Sequence, residues 1–102
     1  MTQHGHRVRA AIFRALAHSV RLQILELLGE QEMCVCDLIA VLHRRQAYVS
    51  QQLAVLREAG LVVDRREGSR VFYCLVDDSL ADLLAQATRL GDHLETSSAR
   101  EG

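Results

Sequence analysis

Apolar positions near the start of the chain recur at helical spacing. Val8, Ala11, Ile12, Ala15 and Leu16 fall on one side of a helix, and Val20, Ile24, Leu27 and Leu28 repeat the period. Ser19 stands where an N-cap belongs and Gly29 where a terminating glycine belongs, so the second helix is expected over about 20–28. A third is expected from near Cys34 to Leu42. The polar triplet His43-Arg44-Arg45 leads into a fourth over 47–59, where Val49, Leu53 and Leu56 make the buried stripe and Gly60 supplies the stop. Two helices separated by about four residues cross at an angle that offers the second to a DNA groove.

Beyond Gly60 the pattern changes. Leu61–Arg66 and Arg70–Val76 are rich in β-branched and aromatic residues and flank the turn Glu67-Gly68-Ser69, which predicts a hairpin. Asp77-Asp78-Ser79 then caps a last helix whose Leu80, Leu83, Ala87, Leu90 and Leu94 are spaced 3, 4, 3 and 4 apart, as in a heptad seam that packs on its twin. Residues 96–102 are small and polar and are expected to form a flexible tail. The fold class is therefore mainly α with a two-stranded β wing, a winged helix–turn–helix ordered α-α-α-α-β-β-α. Residues 1–95 form the DNA-binding and dimerisation domain, a homodimer through its terminal helices.

Composition narrows the functions open to such a fold. A chain of 102 residues is one domain, which excludes a two-domain enzyme. The net charge is only −1, yet the distribution is uneven. All twelve basic residues are arginine, and residues 43–76 carry six of them against three acids, whereas 26–42 and 77–102 are each net −4. Three cysteines without an export signal suit a reducing cytosol, where thiols serve metal binding or redox sensing more often than scaffolding. No apolar run approaches the ~20 residues of a membrane span. A cytoplasmic protein without a membrane partner is expected, and not an enzyme: the cysteines sit in no βαβ pattern and no Cys-X-X-Cys, and lack an acid–base constellation.

The basic block falls on the expected reading head. Gln46, Tyr48, Ser50, Gln51 and Gln52 provide polar side chains for base edges or phosphates, and Arg44, Arg45, Arg57, Arg65, Arg66 and Arg70 surround them. Each phosphate neutralised should steepen the log–log salt dependence of binding by ~0.9. A dimer would offer two such surfaces to a pseudo-palindromic double-stranded operator.

Four stretches in order carry a resemblance that covers roughly residues 8–95. They are Ala17-His18-Ser19-Val20-Arg21-Leu22-Gln23-Ile24-Leu25, Glu32-Met33-Cys34-Val35-Cys36-Asp37-Leu38, Val49-Ser50-Gln51-Gln52-Leu53 running on to Gly60-Leu61-Val62, and the wing Arg65–Tyr73. Together they resemble the ArsR/SmtB family of bacterial metal-responsive repressors. The resemblance implies a repressor that needs no cofactor to bind DNA and is released by an inducer ion. As(III) or Sb(III) is favoured and Cd(II) or Pb(II) comes next, held by Cys34 and Cys36. Two thiolates suit such soft acceptors.

The family commonly has a hydroxyl residue at the position of Cys34 and an acid at that of Asp37, a capping box. A thiol is a poor cap, so its presence is expected to sacrifice local stability for another use. Because residues i and i+2 of a helix point about 200° apart, one ion on both sulfurs is expected to require the first turn to unwind or never to form. Arsenic sensors of this kind often have a third cysteine where Ile39 stands here. His4 and His6 could reach across the dimer as nitrogen ligands, against the simpler reading of a polar chain start.

Cys74 reads as a structural thiol on the second wing strand, and His18 and His43 as structural or DNA-proximal. A second family site between terminal helices has Asp77, His93 and Glu95 available, but Ser79 and Leu90 stand where histidines would be, so zinc sensing there is not expected. The competing reading keeps the DNA binding and makes the thiols respond to oxidation or reactive sulfur, since a Cys-X-Cys disulfide closes a small, easily reduced ring.

Overall fold

The computed structural model describes the backbone of residues 3–101 and the side chains of residues 5–97. Along it run α1 (Gln3–Leu16), α2 (Ser19–Glu30), β1 (Met33–Cys34), α3 (Val35–Leu42), α4 (Gln46–Glu58), β2 (Val62–Glu67), β3 (Arg70–Leu75) and α5 (Asp78–Glu101). The helical periods and the hairpin stand as the sequence implies. The wing, however, has a third strand: Met33 pairs with Tyr73 and Cys34 with Phe72, giving the antiparallel order β1-β3-β2. Two residues carry no readable alternation, and β1 exists because β3 offers it an edge.

Helix ends correct the sequence reading in two places. His18, not Ser19, occupies the cap position of α2, and its side chain makes no cap bond. Gly29 stays helical, and α2 stops at Gln31, whose extended backbone sends its N–H back to the Leu27 carbonyl at 3.3 Å. Gly60 does act as the expected stop. At φ +78° it closes α4 in a Schellman arrangement, with Leu61 N–H on the Leu56 carbonyl and Gly60 N–H on that of Arg57. Gly68, at φ +62°, takes the first position of the two-residue turn between Glu67 and Arg70, where a type II′ hairpin turn requires glycine.

Ile24 and Leu25 of α2, Leu38 of α3, Val49, Leu53 and Leu56 of α4 and Val62 of β2 are the fully buried centre. Ala15 and Leu16 of α1 and Leu80 and Leu84 of α5 close it. The helix–turn–helix pair is thus fixed by its inner face, and the sharp turn between α3 and α4 is made by His43 in the left-handed region, whose N–H bonds the Ile39 carbonyl at 2.9 Å.

On α5 the expected seam divides. Leu80 lies in the protomer's own core and Leu83 packs against it, with Leu84 beside them, whereas Ala87 is exposed and Leu90 and Leu94 are 59% and 58% exposed. A 3.5-residue seam cannot distinguish a helix's own core from its twin, since both take the same stripe. The helix also continues to Glu101, through the stretch expected to be a flexible tail. Asp77 caps it as expected, accepting from the Ser79 backbone N–H at 3.1 Å and from the Ser79 hydroxyl, and these bonds hold its carboxyl below the usual carboxylate range.

Candidate nucleic-acid interface and thiol site

The outer face of α4 presents Gln46, Ser50 and Gln51 to solvent, with Tyr48 half-buried and the Arg44 guanidinium 5.4 Å from its ring centroid. Gln52 is not on this face. It is 6% exposed, and its Oε1 accepts from Arg21 Nε of α2 at 2.9 Å. Arg21 Nη1 in turn donates to the Ala15 carbonyl at 3.3 Å. The spacing that buries Val49, Leu53 and Leu56 also places position 52 inside, so the error came from weighing residue type above period. Arg21 itself carries no sequence signal that points to Gln52, 31 residues away.

The six arginines also divide. Arg44, Arg45, Arg66 and Arg70 are exposed and make no side-chain hydrogen bond or ion pair among the described residues. Arg57 pairs with Asp64 at 3.3 Å. Arg65 is held within the wing: its fork engages both oxygens of Glu32 at 2.8 and 2.6 Å, its third nitrogen meets Glu67 at 2.7 Å, and its guanidinium lies 5.0 Å from the Phe72 ring centroid. The bonds from Arg65 hold the Glu32 carboxyl below the ordinary glutamate range and push the guanidinium still higher. Arg65 thereby ties β2 to the residue that enters β1.

Cys34 stands at the meeting point of strand and helix. Its backbone is extended (φ −86°, ψ 169°) and occupies the N-cap of α3. Asp37 N–H donates to Cys34 Sγ at 3.3 Å while Cys34 N–H donates to Asp37 Oδ2 at 3.1 Å, so the capping box survives with sulfur in the hydroxyl's place. The two sulfurs meet without unwinding. Because Cys34 precedes the helix rather than lying in it, its sulfur meets that of Cys36 over an intact first turn, and the two form a disulfide.

Cys34 is 3% exposed and Cys36 is open to solvent. The ligand atoms of Cys34, Cys36 and Asp37 lie within 4.8 Å of one another, and this is the metal-ligand cluster present among the described residues. His6 is exposed on α1 and outside that cluster, and the side chain of His4 lies outside the described residues. Cys74 is a half-buried free thiol on β3. A cavity of about 240 Å³ opens beside the pair, bounded by Cys34, Val35 and Cys36 on one side and Ser69, Arg70 and Val71 of the wing on the other.

Residues 18–63 match the family model of bacterial regulatory proteins of the arsR family. A transcriptional repressor SmtB homolog from Synechocystis is 41% identical over 88 residues, 86% of this chain, and the chain spans 64% of that protein's length. The arsenical resistance operon repressor of Escherichia coli is 48% identical over 65 residues, which are 63% of this chain and 56% of that one. The crystal structure of Mycobacterium tuberculosis Rv0081 superposes with a TM-score of 0.87 at 33% identity, covering 96% of this chain and 99% of that one. These matches are to DNA-binding transcriptional regulators and not to enzymes. The homodimeric winged helix–turn–helix DNA-binding domain of Mb0332 from Mycobacterium bovis, a possible ArsR-family transcriptional regulator, superposes with a TM-score of 0.79 at 34% identity, covering 84% of this chain and 80% of that one. The chain belongs to the ArsR family of winged helix–turn–helix transcriptional regulators.

Proposed function

We propose that this chain represses transcription as a homodimer on a pseudo-palindromic operator, and that the Cys34/Cys36 pair is its sensor. As a dithiol the pair takes a thiophilic ion, As(III) or Sb(III) first and Cd(II) or Pb(II) next, and the operator is released. The observation that carries this is the position of Cys34. Its sulfur caps α3, its backbone pairs with Phe72 of the wing, and both neighbours serve DNA binding. The preference for arsenic is supported by the similarity to the E. coli arsenical resistance operon repressor. The donor set fits a soft ion, with two sulfurs and the Asp37 carboxylate in mutual reach.

Gln46, Tyr48, Ser50 and Gln51 read the groove in this proposal, and Arg44, Arg45, Arg66 and Arg70 meet phosphates. The exposed Leu90 and Leu94 of α5 and Phe13 of α1 supply apolar surface for the partner subunit. The test is fluorescence anisotropy of reduced protein on its own upstream DNA, titrated with arsenite, Cd(II), Pb(II) and Zn(II). Release of wild type at near-stoichiometric ion, with Cys34→Ser and Cys36→Ser still bound, supports the proposal. Equal release of the variants refutes it.

The disulfide favours a second reading, in which oxidation or reactive sulfur is the input. That reading expects diamide alone to change operator affinity in wild type and in neither serine variant.

A further inference from the structure

We infer that the Cys34–Cys36 bond is opened by a small anionic thiol that attacks Cys36 and expels Cys34, in the cavity between α3 and the wing. The inference rests on the reading of this pair as a reversible sensor and specifies the chemistry that resets it.

The two sulfurs are not equivalent. Cys36 is exposed, whereas Cys34 is 3% exposed, so an external nucleophile reaches Cys36 more readily. Exchange places negative charge on the sulfur that departs. Among the described residues only Cys34 of the two has a backbone donor aimed at its sulfur, the Asp37 N–H at 3.3 Å, in the first turn of α3. Access and leaving-group stabilisation therefore select the same direction of cleavage.

The cavity supplies the substrate class. Its roughly 240 Å³ adjoin both cysteines, which is room for a small thiol. Arg70 is the one charged residue that lines it. Asp37 lies on the helix side with one carboxylate oxygen occupied by Cys34 N–H. Ser69 and Arg70 thus present a hydroxyl and a guanidinium to whatever the incoming thiol carries, which suits carboxylates. The step is thiolate RS⁻ plus the protein disulfide giving RS–S–Cys36 and the Cys34 thiolate. A second RS⁻ attacks the sulfur of the bound R group, releasing RSSR and the Cys36 thiolate. Two electrons pass from two thiols to the disulfide, and their protons go to solvent and then to the dithiol.

The experiment uses full-length protein oxidised with diamide and exposed to glutathione, 2-mercaptoethanol or cysteamine at equal thiolate concentration. Samples are quenched in acid and alkylated, and the peptide containing residues 34 and 36 is fragmented by mass spectrometry. The expected result is the glutathione adduct on Cys36 with the alkyl tag on Cys34. Arg70→Gln should slow glutathione about threefold, as befits one partly exposed charge pair, and leave the 2-mercaptoethanol rate unchanged.

An adduct on Cys34, an even split, or a glutathione-to-cysteamine rate ratio unaltered in Arg70→Gln overturns the inference. So does failure of diamide to close the Cys34–Cys36 bond. Operator anisotropy on the same oxidised and reduced samples tests the sensor reading separately. The adduct pattern with no difference in operator affinity upholds the exchange chemistry and rejects the sensor.

Discussion

Replacing Arg21 by methionine should damage the reading head from behind. Gln52 sits on the inner face of α4 at 6% exposure, and Arg21 Nε is its partner at 2.9 Å. Methionine keeps the stem's apolar contacts and leaves Gln52 Oε1 buried without a donor, a loss of about 1–3 kcal/mol. For a domain of this size about 2 kcal/mol corresponds to a melting temperature lower by roughly 10 °C. Gln52→Met alone should cost less, because Arg21 is half-exposed and retains solvent and the Ala15 carbonyl. In the double variant the orphaned acceptor is gone, so most of the loss is recovered, to within about 1 kcal/mol of wild type.

Urea unfolding by circular dichroism at one fixed protein concentration measures all four corners of this cycle. Well below its unfolding midpoint, Arg21→Met should also bind the operator more weakly with an unchanged salt slope, since the phosphate contacts are untouched. An Arg21→Met protein within about 0.5 kcal/mol of wild type, or two single effects that simply add, would mean that Gln52 does not depend on Arg21.

Three further outcomes are expected. The Glu32 carboxyl, held down by Arg65, should titrate below 4.5, so the wing tie is complete at neutral pH and is lost as pH falls through that lowered value. A side-chain carboxyl midpoint by NMR at or above 4.5 contradicts this. Under reducing conditions Cys34→Ser should preserve the α3 cap and match wild-type stability, while Cys34→Ala should lose about 1 kcal/mol in urea unfolding. Aspartates at both Leu90 and Leu94 should shift the protein to monomer in sedimentation equilibrium with the helical circular dichroism intact, and a persistent dimer places the interface elsewhere.

Elements written in a local period were legible from the sequence. The stripes of α2 and α4, the Gly60 stop, the Gly68 turn and the Asp77 cap each need only residues within a turn or two of one another. What escaped is non-local. β1 is two residues long and is defined by Phe72 and Tyr73 nearly forty positions on, while Arg21–Gln52 and Arg65–Glu32 span 31 and 33 residues. Residue type then misled. A glutamine among arginines reads as a DNA contact, and Arg65 reads as a phosphate ligand, until the fold shows the first buried and the second shared by two carboxylates and a ring. Cys34 and Cys36 lie together because the Cys-X-Cys spacing is itself local.

The cap position of Cys34 decides how a change at its sulfur, if the proposed sensing holds, reaches the DNA-binding elements. With Cys34 inside a helix, ligation would have to unwind it. With Cys34 at the cap, the sulfur is joined to α3 by the Asp37 N–H and its backbone to the wing by the Phe72 pairing, so a change in sulfur bonding loosens one junction or the other. Glu32 and Arg65 hold the wing two residues upstream of Cys34, which confines the disturbance to the short span between that tie and α3. Amide hydrogen exchange on the reduced protein, with and without arsenite, should therefore change first at Asp37 and at the β1–β3 pairs, with the α2 core centred on Ile24 and Leu25 unaffected. Changes confined to α5 would mean that the signal leaves the thiol site through the subunit interface, and the wing route would have to be abandoned.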